Sequence, residues 1–275
     1  MLVPTAVLAG MGLVAGLGLA AAARVFAVET DPRQEKVNDA LPGANCGGCG
    51  FAGCADFAAA VVAGKAGPAD CPVADDTARQ AVAAIMGLEV TAGKRQVALV
   101  MCQGDDSVAK PSFRYNGQAS CASADLLGGG DKACLHGCLG LADCQAVCTF
   151  GAIEMTEQGI ARVIPARCTG CGKCIAVCPK HIISLIPEDA TIHVLCANTD
   201  KGGAAKKACD VACIGCKKCE KAFEDDPRIT VSDFLAHVDY EHAPTDPSLV
   251  DTCPTGALVF RDMRNFDPDS PRERS

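Results

Sequence analysis

The sequence has no tryptophan and only two tyrosines, and aromatics make up 4% of its 275 residues. A large aromatic-rich core is therefore excluded. No basic stripe with interleaved aromatics occurs and the formal net charge is −8, so nucleic acid is not an expected partner. No charged residue precedes Arg24. No glycine-rich dinucleotide fingerprint follows a strand-like run, which places any NAD site on another chain. The five histidines are scattered and none lies in a pattern with a nucleophile, so no hydrolytic or nucleophilic centre is expected. No flavin attachment signal stands out either.

Cysteine is what the chain has in excess: 20 residues, divisible into five sets of four. The chain is too long for a secreted disulfide miniprotein. The run Cys168-x2-Cys171-x2-Cys174-x3-Cys178-Pro179 has the spacing with which bacterial ferredoxins hold [4Fe–4S] clusters. Three thiolates of such a run wrap one cube and the fourth ligates a neighbouring one. A second run is therefore expected, and Cys134-x3-Cys138-x5-Cys144-x3-Cys148 lies upstream. Cross-ligation then groups Cys134, Cys138, Cys144 and Cys178 around one cluster, and Cys148, Cys168, Cys171 and Cys174 around the other. The upstream run departs from the standard one, with Leu141 where a second cysteine is expected, Cys134 standing in for it, and Thr149 where proline would follow. A zinc ribbon, the competing chemistry, expects two Cys pairs across a longer gap.

A further set precedes these. Cys46-x2-Cys49-x4-Cys54-x16-Cys71 supplies four ligands for one cube, and Gly47, Gly48, Gly50 and Gly53 let the backbone curl around it and donate N–H groups to its sulfurs. A short polar helix is expected at 29–41, ended by Pro42-Gly43, then an Ala-rich helix at 55–63 with Phe57 and Val61 inward and another at 75–86.

The uncharged run at 1–23 would span roughly 34 Å as a helix, against a hydrocarbon core of about 30 Å. Gly12-x3-Gly16 offers a small-residue face for another membrane helix. A signal peptide cut near Ala21 is the alternative, but the basic n-region is missing. Arg24, Arg33 and Lys36 follow the run, which by the positive-inside rule places the bulk of the chain on the cytoplasmic side.

Residues 96–101 read as a buried strand ending at Cys102, residues 153–155 and 160–164 as a hairpin, and residues 182–186 as a closing strand. The 192–195 run, ending at Cys196, echoes the first strand. Cys196-x12-Cys209-x3-Cys213 matches Cys121-x12-Cys134-x3-Cys138, an internal duplication. It continues through Cys216 and Cys219, but Phe223, Ala243, Asp246 and Leu249 stand where cysteines are due, and Cys253-Pro254 closes it. Under cross-ligation one complete set is lost and one, Cys213, Cys216, Cys219 and Cys253, is kept. A second hairpin is expected at 228–231 and 234–238. Cys102, Cys121, Cys196 and Cys209 remain, either as ligands of a fifth cluster or as core thiols.

The membrane run, the N-C-G-x-C-G-x3-C motif with its distant Cys71-Pro72, and the two-cluster module together resemble the B subunit of the Rnf ion-translocating ferredoxin:NAD oxidoreductase complex, in its long, ferredoxin-extended form. The resemblance covers residues 1–187 well and reaches the C-terminus in the long variants. It implies reduced ferredoxin as donor, NAD as final acceptor on another chain of the complex, other Rnf-type membrane subunits as partners, and coupled Na⁺ or H⁺ movement at a bacterial cytoplasmic membrane. The expected fold is α+β: a transmembrane anchor at 1–27, a small 4Fe–4S module at 28–90, a strand and loop at 91–133, a two-cluster ferredoxin-like module at 134–190, a degenerate second one at 191–262 and a disordered tail at 263–275. The expected function is an electron relay with four or five [4Fe–4S] clusters. A stand-alone membrane polyferredoxin wiring another oxidoreductase and a redox sensor without turnover are the alternatives.

Overall fold

The computed structural model describes residues 2–25, 31–90, 93–223 and 228–265, with side chains from residue 9 onward. The first element, α1 (Leu2–Val25), carries no basic residue before Arg24. Its described side chains at positions 9–23 belong to the uncharged run, and Met11, Leu13, Val14, Leu17 and Leu19 are all exposed. Among the described residues no helix is long and apolar enough to cross a membrane.

Helices α2 (Pro32–Ala40), α3 (Cys54–Val62) and α4 (Asp76–Met86) form the next unit. Asp31 caps α2 by accepting from the Arg33 N–H, and Asp75 caps α4 by accepting from the Ala78 N–H. Val37, Leu41, Phe57, Val61 and Val82 close a small core between them, so the inward faces expected of Phe57 and Val61 are observed. Cys49, Cys54 and Cys71 pack against or within that core.

The remaining chain is built twice. In the first copy β1 (Gln96–Val100) pairs antiparallel with β4 (Ile183–Pro187), and β2 (Ile153–Met155) with β3 (Ala161–Val163). Short helices α5 (Cys121–Asp125), α6 (Asp143–Ala146) and α7 (Lys173–Val177) lie between the strands. In the second copy β5 (Ile192–Val194) pairs with β8 (Leu258–Phe260), and β6 (Ile229–Ser232) with β7 (Leu235–Val238), with α8 (Gly202–Ala208) and α9 (Lys218–Lys221) between them. Strand β1 is thus an integral outer strand of the first copy, not part of a connection. Val97 to Val100 are all buried, as a strand covered on both faces requires. Strand β8 has no counterpart among the expected strands: three residues between a Cys-Pro turn and a charged run are too few to show a period.

The expected tail from 263 is corrected at its start. Met263 is only 2% exposed and packs into the core of the first copy, brought there as β8 runs out and the Arg261 N–H bonds to the Thr191 carbonyl. The rest of that tail, from 266, lies outside the described residues.

Candidate iron–sulfur sites

The twenty thiols are all free, and sixteen of them line four small cavities in sets of four. Cys46, Cys49, Cys54 and Cys71 line one of them under α3. The Asn45 carboxamide accepts from the Cys54 N–H at 2.9 Å and pins the loop to the start of that helix. Burial raises the Cys71 thiol, with Cys49 and Cys46 adding repulsion.

Cys148, Cys168, Cys171 and Cys174 form a second set. The Cys174 thiol is pushed up to about 12, first by burial and then by Cys168, Cys171 and Cys148. The Ala98 N–H points at Cys168 Sγ and the Ala152 N–H at Cys148 Sγ, each at 3.3 Å. Strand β1 therefore donates directly to a ligand-type sulfur, which explains why it sits against this set.

The third set differs from the sequence expectation. The cavity beside β4 is lined by Cys121, Cys138, Cys144 and Cys178. Cys134 is not among them. Residues 103–133 fold back so that Cys121, the first residue of α5, fills the place left by Leu141; burial raises its thiol, offset in part by the nearby Asp143 and Leu141 backbone. The Asp143 carboxylate in turn accepts from Ser120 Oγ and the Ala122 N–H, both at 3.0 Å. The Cys144 thiol is raised to about 12 by burial, then by Cys138, Cys121 and Cys178. The missing signal was the vacancy at Leu141, which calls for a thiol from outside the run without saying which.

In the second copy Cys213, Cys216, Cys219 and Cys253 line a cavity of the same kind. Burial and the other three thiols raise Cys219 to about 11. Three of the four positions that lost cysteine have been absorbed elsewhere. Leu249 is buried in the local core and Phe223 packs on it beneath the Arg228 guanidinium, while Asp246 caps a 3-10 turn by accepting from the Ser248 N–H.

The last cavity lies where the two copies meet and is lined by Cys102, Cys134, Cys196 and Cys209. The leftover set expected from the sequence thus exchanges Cys121 for Cys134.

Among the described residues no three His, Cys, Asp or Glu side chains converge closely enough to hold a single metal ion. A tetrahedral zinc with Zn–S near 2.3 Å needs thiols roughly 3.8 Å apart. The thiols here line spaces instead, with backbone N–H donors aimed at sulfur, which fits a four-iron cube.

Two family models match the chain: a putative Fe-S cluster family over residues 41–73 and a 4Fe-4S dicluster domain over residues 133–182. The chain is 45% identical over 94% of its length to the B subunit of the Na(+)-translocating ferredoxin:NAD(+) oxidoreductase complex of Acetobacterium woodii, covering 77% of that protein. It is 41% identical over 93% of its length to the B subunit of the ion-translocating oxidoreductase complex of Methanosarcina acetivorans, covering 97% of it. It is 39% identical over 90% of its length to the B subunit of the proton-translocating ferredoxin:NAD(+) oxidoreductase complex of Clostridium ljungdahlii, covering 88% of it.

Proposed function

The chain belongs to the B-subunit family of ion-translocating ferredoxin:NAD oxidoreductase complexes, and on that premise we propose that it receives electrons from reduced soluble ferredoxin and relays them through its cysteine sets to its partner subunits. It is an iron–sulfur electron-transfer component of a translocase, and the other subunits of that complex are its partners. [4Fe–4S] groups held by the thiols supply one-electron transfer. The residues assigned to hold them are Cys46, Cys49, Cys54 and Cys71; Cys148, Cys168, Cys171 and Cys174; Cys121, Cys138, Cys144 and Cys178; and Cys213, Cys216, Cys219 and Cys253.

The observation that carries the relay is how close successive sets come. A Cβ at Gly48, inside the first Cys loop, would lie 3.0 Å from the Cys171 carbonyl oxygen and 3.1 Å from its Cβ. The first and second sets are therefore in van der Waals contact through one glycine. Cys148 and Cys178 each leave one run to join the other set, which ties the second and third sets together through α6 and α7. N–H donors to Cys148 and Cys168 stabilise the more negative reduced state.

We assign the uncharged run 1–23, only part of which has described side chains, as a single-pass anchor with the cluster-bearing bulk on the cytoplasmic side. Its exposed Met, Leu and Val side chains have no partner within the described chain and suit lipid or a membrane-embedded partner. One helix cannot form an ion path, so translocation belongs to the partners.

Stopped-flow mixing of the anaerobic complex with reduced ferredoxin tests the donor role. Bleaching of the clusters at a rate that rises with ferredoxin concentration supports it. No bleaching by ferredoxin, with full bleaching by dithionite, would overturn it.

A further inference from the structure

Four groups do not exhaust the thiols, and the last set is built as deliberately as the others. We propose that Cys102, Cys134, Cys196 and Cys209 hold a fifth [4Fe–4S] cluster, shared equally by the two copies and joining their cluster sites into one path. The proposal rests on the assignment of the other four sets and extends it.

The set has an internal two-fold logic. Cys102 follows β1 by two residues, as Cys196 follows β5. The Gly104 N–H lies 3.4 Å from Cys102 Sγ, and the Asn198 N–H lies 3.4 Å from Cys196 Sγ. The first thiol residue of the next run completes each pair: the Cys138 N–H lies 3.4 Å from Cys102 Sγ, and the Cys213 N–H 3.3 Å from Cys196 Sγ. Cys134 and Cys209 each follow a Lys-Ala pair. Each copy therefore contributes one strand-end thiol and one Lys-Ala-Cys thiol. Neither copy alone could complete the set.

The surroundings are those of a cluster and not of core thiols. Asn198 is 1% exposed, and its side-chain Nδ2 donates to Cys134 Sγ at 3.3 Å. Lys132 is buried too, with Nζ 3.0 Å from the Gly104 carbonyl oxygen and 3.4 Å from Asp106 Oδ1. A buried carboxamide and a buried ammonium beside four thiols would be costly in an empty apolar pocket, but both favour thiolates bound to iron. A Cβ at Gly104 would stand 3.3 Å from Cys209 Sγ and 3.6 Å from Cys102 Sγ, so glycine keeps the backbone close to two sulfurs at once.

Position gives the set its role. Through the Cys138 N–H it abuts the Cys121, Cys138, Cys144 and Cys178 site, and through the Cys213 N–H it abuts the site in the second copy. It is thus the link between the first three sets and the last.

Native mass spectrometry and iron analysis of the anaerobic chain, purified in its complex, test the proposal. The wild type should carry five clusters, about 20 irons, and Cys134→Ser/Cys209→Ser should lose one fifth of the iron. Cys216→Ala/Cys219→Ala should lose a different fifth, removing a separate EPR signal, so loss of the second-copy site is not mistaken for loss of this one. Asn198→Ala keeps all ligands; it should leave the iron count unchanged and lower the midpoint potential of one cluster. Four clusters in the wild type, still four in the Cys134/Cys209 variant, would overturn the proposal while leaving the four-set relay standing. If the double variant fails to assemble, an Asn198→Ala chain with every midpoint unchanged overturns it as well.

Discussion

At the scale of single residues, the most informative exchange is between Cys121 and Leu141. The second copy places Cys216 in its run where the first has Leu141, and both serve cavities of the same kind. Cys121→Ala should therefore cost one cluster, about four irons per chain. Adding Leu141→Cys should restore it, because Cys216 fills the matching position in the cavity of the second copy. Iron content and the EPR signal of the reduced chain measure both outcomes. Two glycines make a related point. Gly140 and Gly215 hold φ of +74° and +62° at the same place in the two copies, and a Cβ there would lie 2.5 Å from the Gly159 carbonyl oxygen and 2.8 Å from that of Phe234. Each lets a Cys loop touch the tip of its hairpin. Gly140→Ala is both left-handed and blocked by backbone, so it should destabilise the chain by more than about 1 kcal/mol, read from the denaturant midpoint of the anaerobic protein.

At the scale of elements, strand β5 carries a pH-sensitive contact. His193 is fully buried, with Nδ1 3.1 Å from Tyr240 Oη and Nε2 3.1 Å from the Arg261 carbonyl oxygen. Burial holds it neutral, lowering its pKa from 6.5 to about 4. The unfolded chain takes up a proton below pH 6.5 and the folded one only near pH 4, so His193 leaves stability intact above pH 6.5 and removes it as pH falls toward 4. The loss should approach about 3 kcal/mol. The denaturant midpoint should fall across that window in the wild type and fall less in His193→Gln. Helix α1 belongs to this scale as well. A chain lacking residues 1–25 should leave the membrane fraction yet keep its full iron content, since no cysteine lies before Cys46. Membrane retention of the truncated chain in the absence of its partners would remove α1 as the anchor.

At the scale of the whole molecule, the cores are small and the thiols stand in for aromatic mass. Metal binding then becomes folding free energy. Stripping iron with a chelator under reducing conditions should unfold the cluster-bearing units together, seen as loss of far-UV circular dichroism that returns only with iron and sulfide.

Much of this was readable from the chain. The Cys spacings at 46–71 and 168–178, the two hairpins and the loss of one complete set in the second copy all follow from local chemistry, because a cube needs its thiols at short, regular intervals on a glycine-relaxed backbone. What spacing could not determine was which distant thiol joins which set. Cys196-x12-Cys209 matches Cys121-x12-Cys134 in number, yet the fold makes Cys196 the counterpart of Cys102, since both follow the first strand of their copy. The 103–133 segment is longer than its equivalent in the second copy, and its extra length delivers Cys121 to the vacancy at Leu141 and frees Cys134 for the junction. Sequence sets ligands that are neighbours along the backbone; only the pairing of β1 with β4 and β5 with β8, and the meeting of the two copies, brings together those that are not.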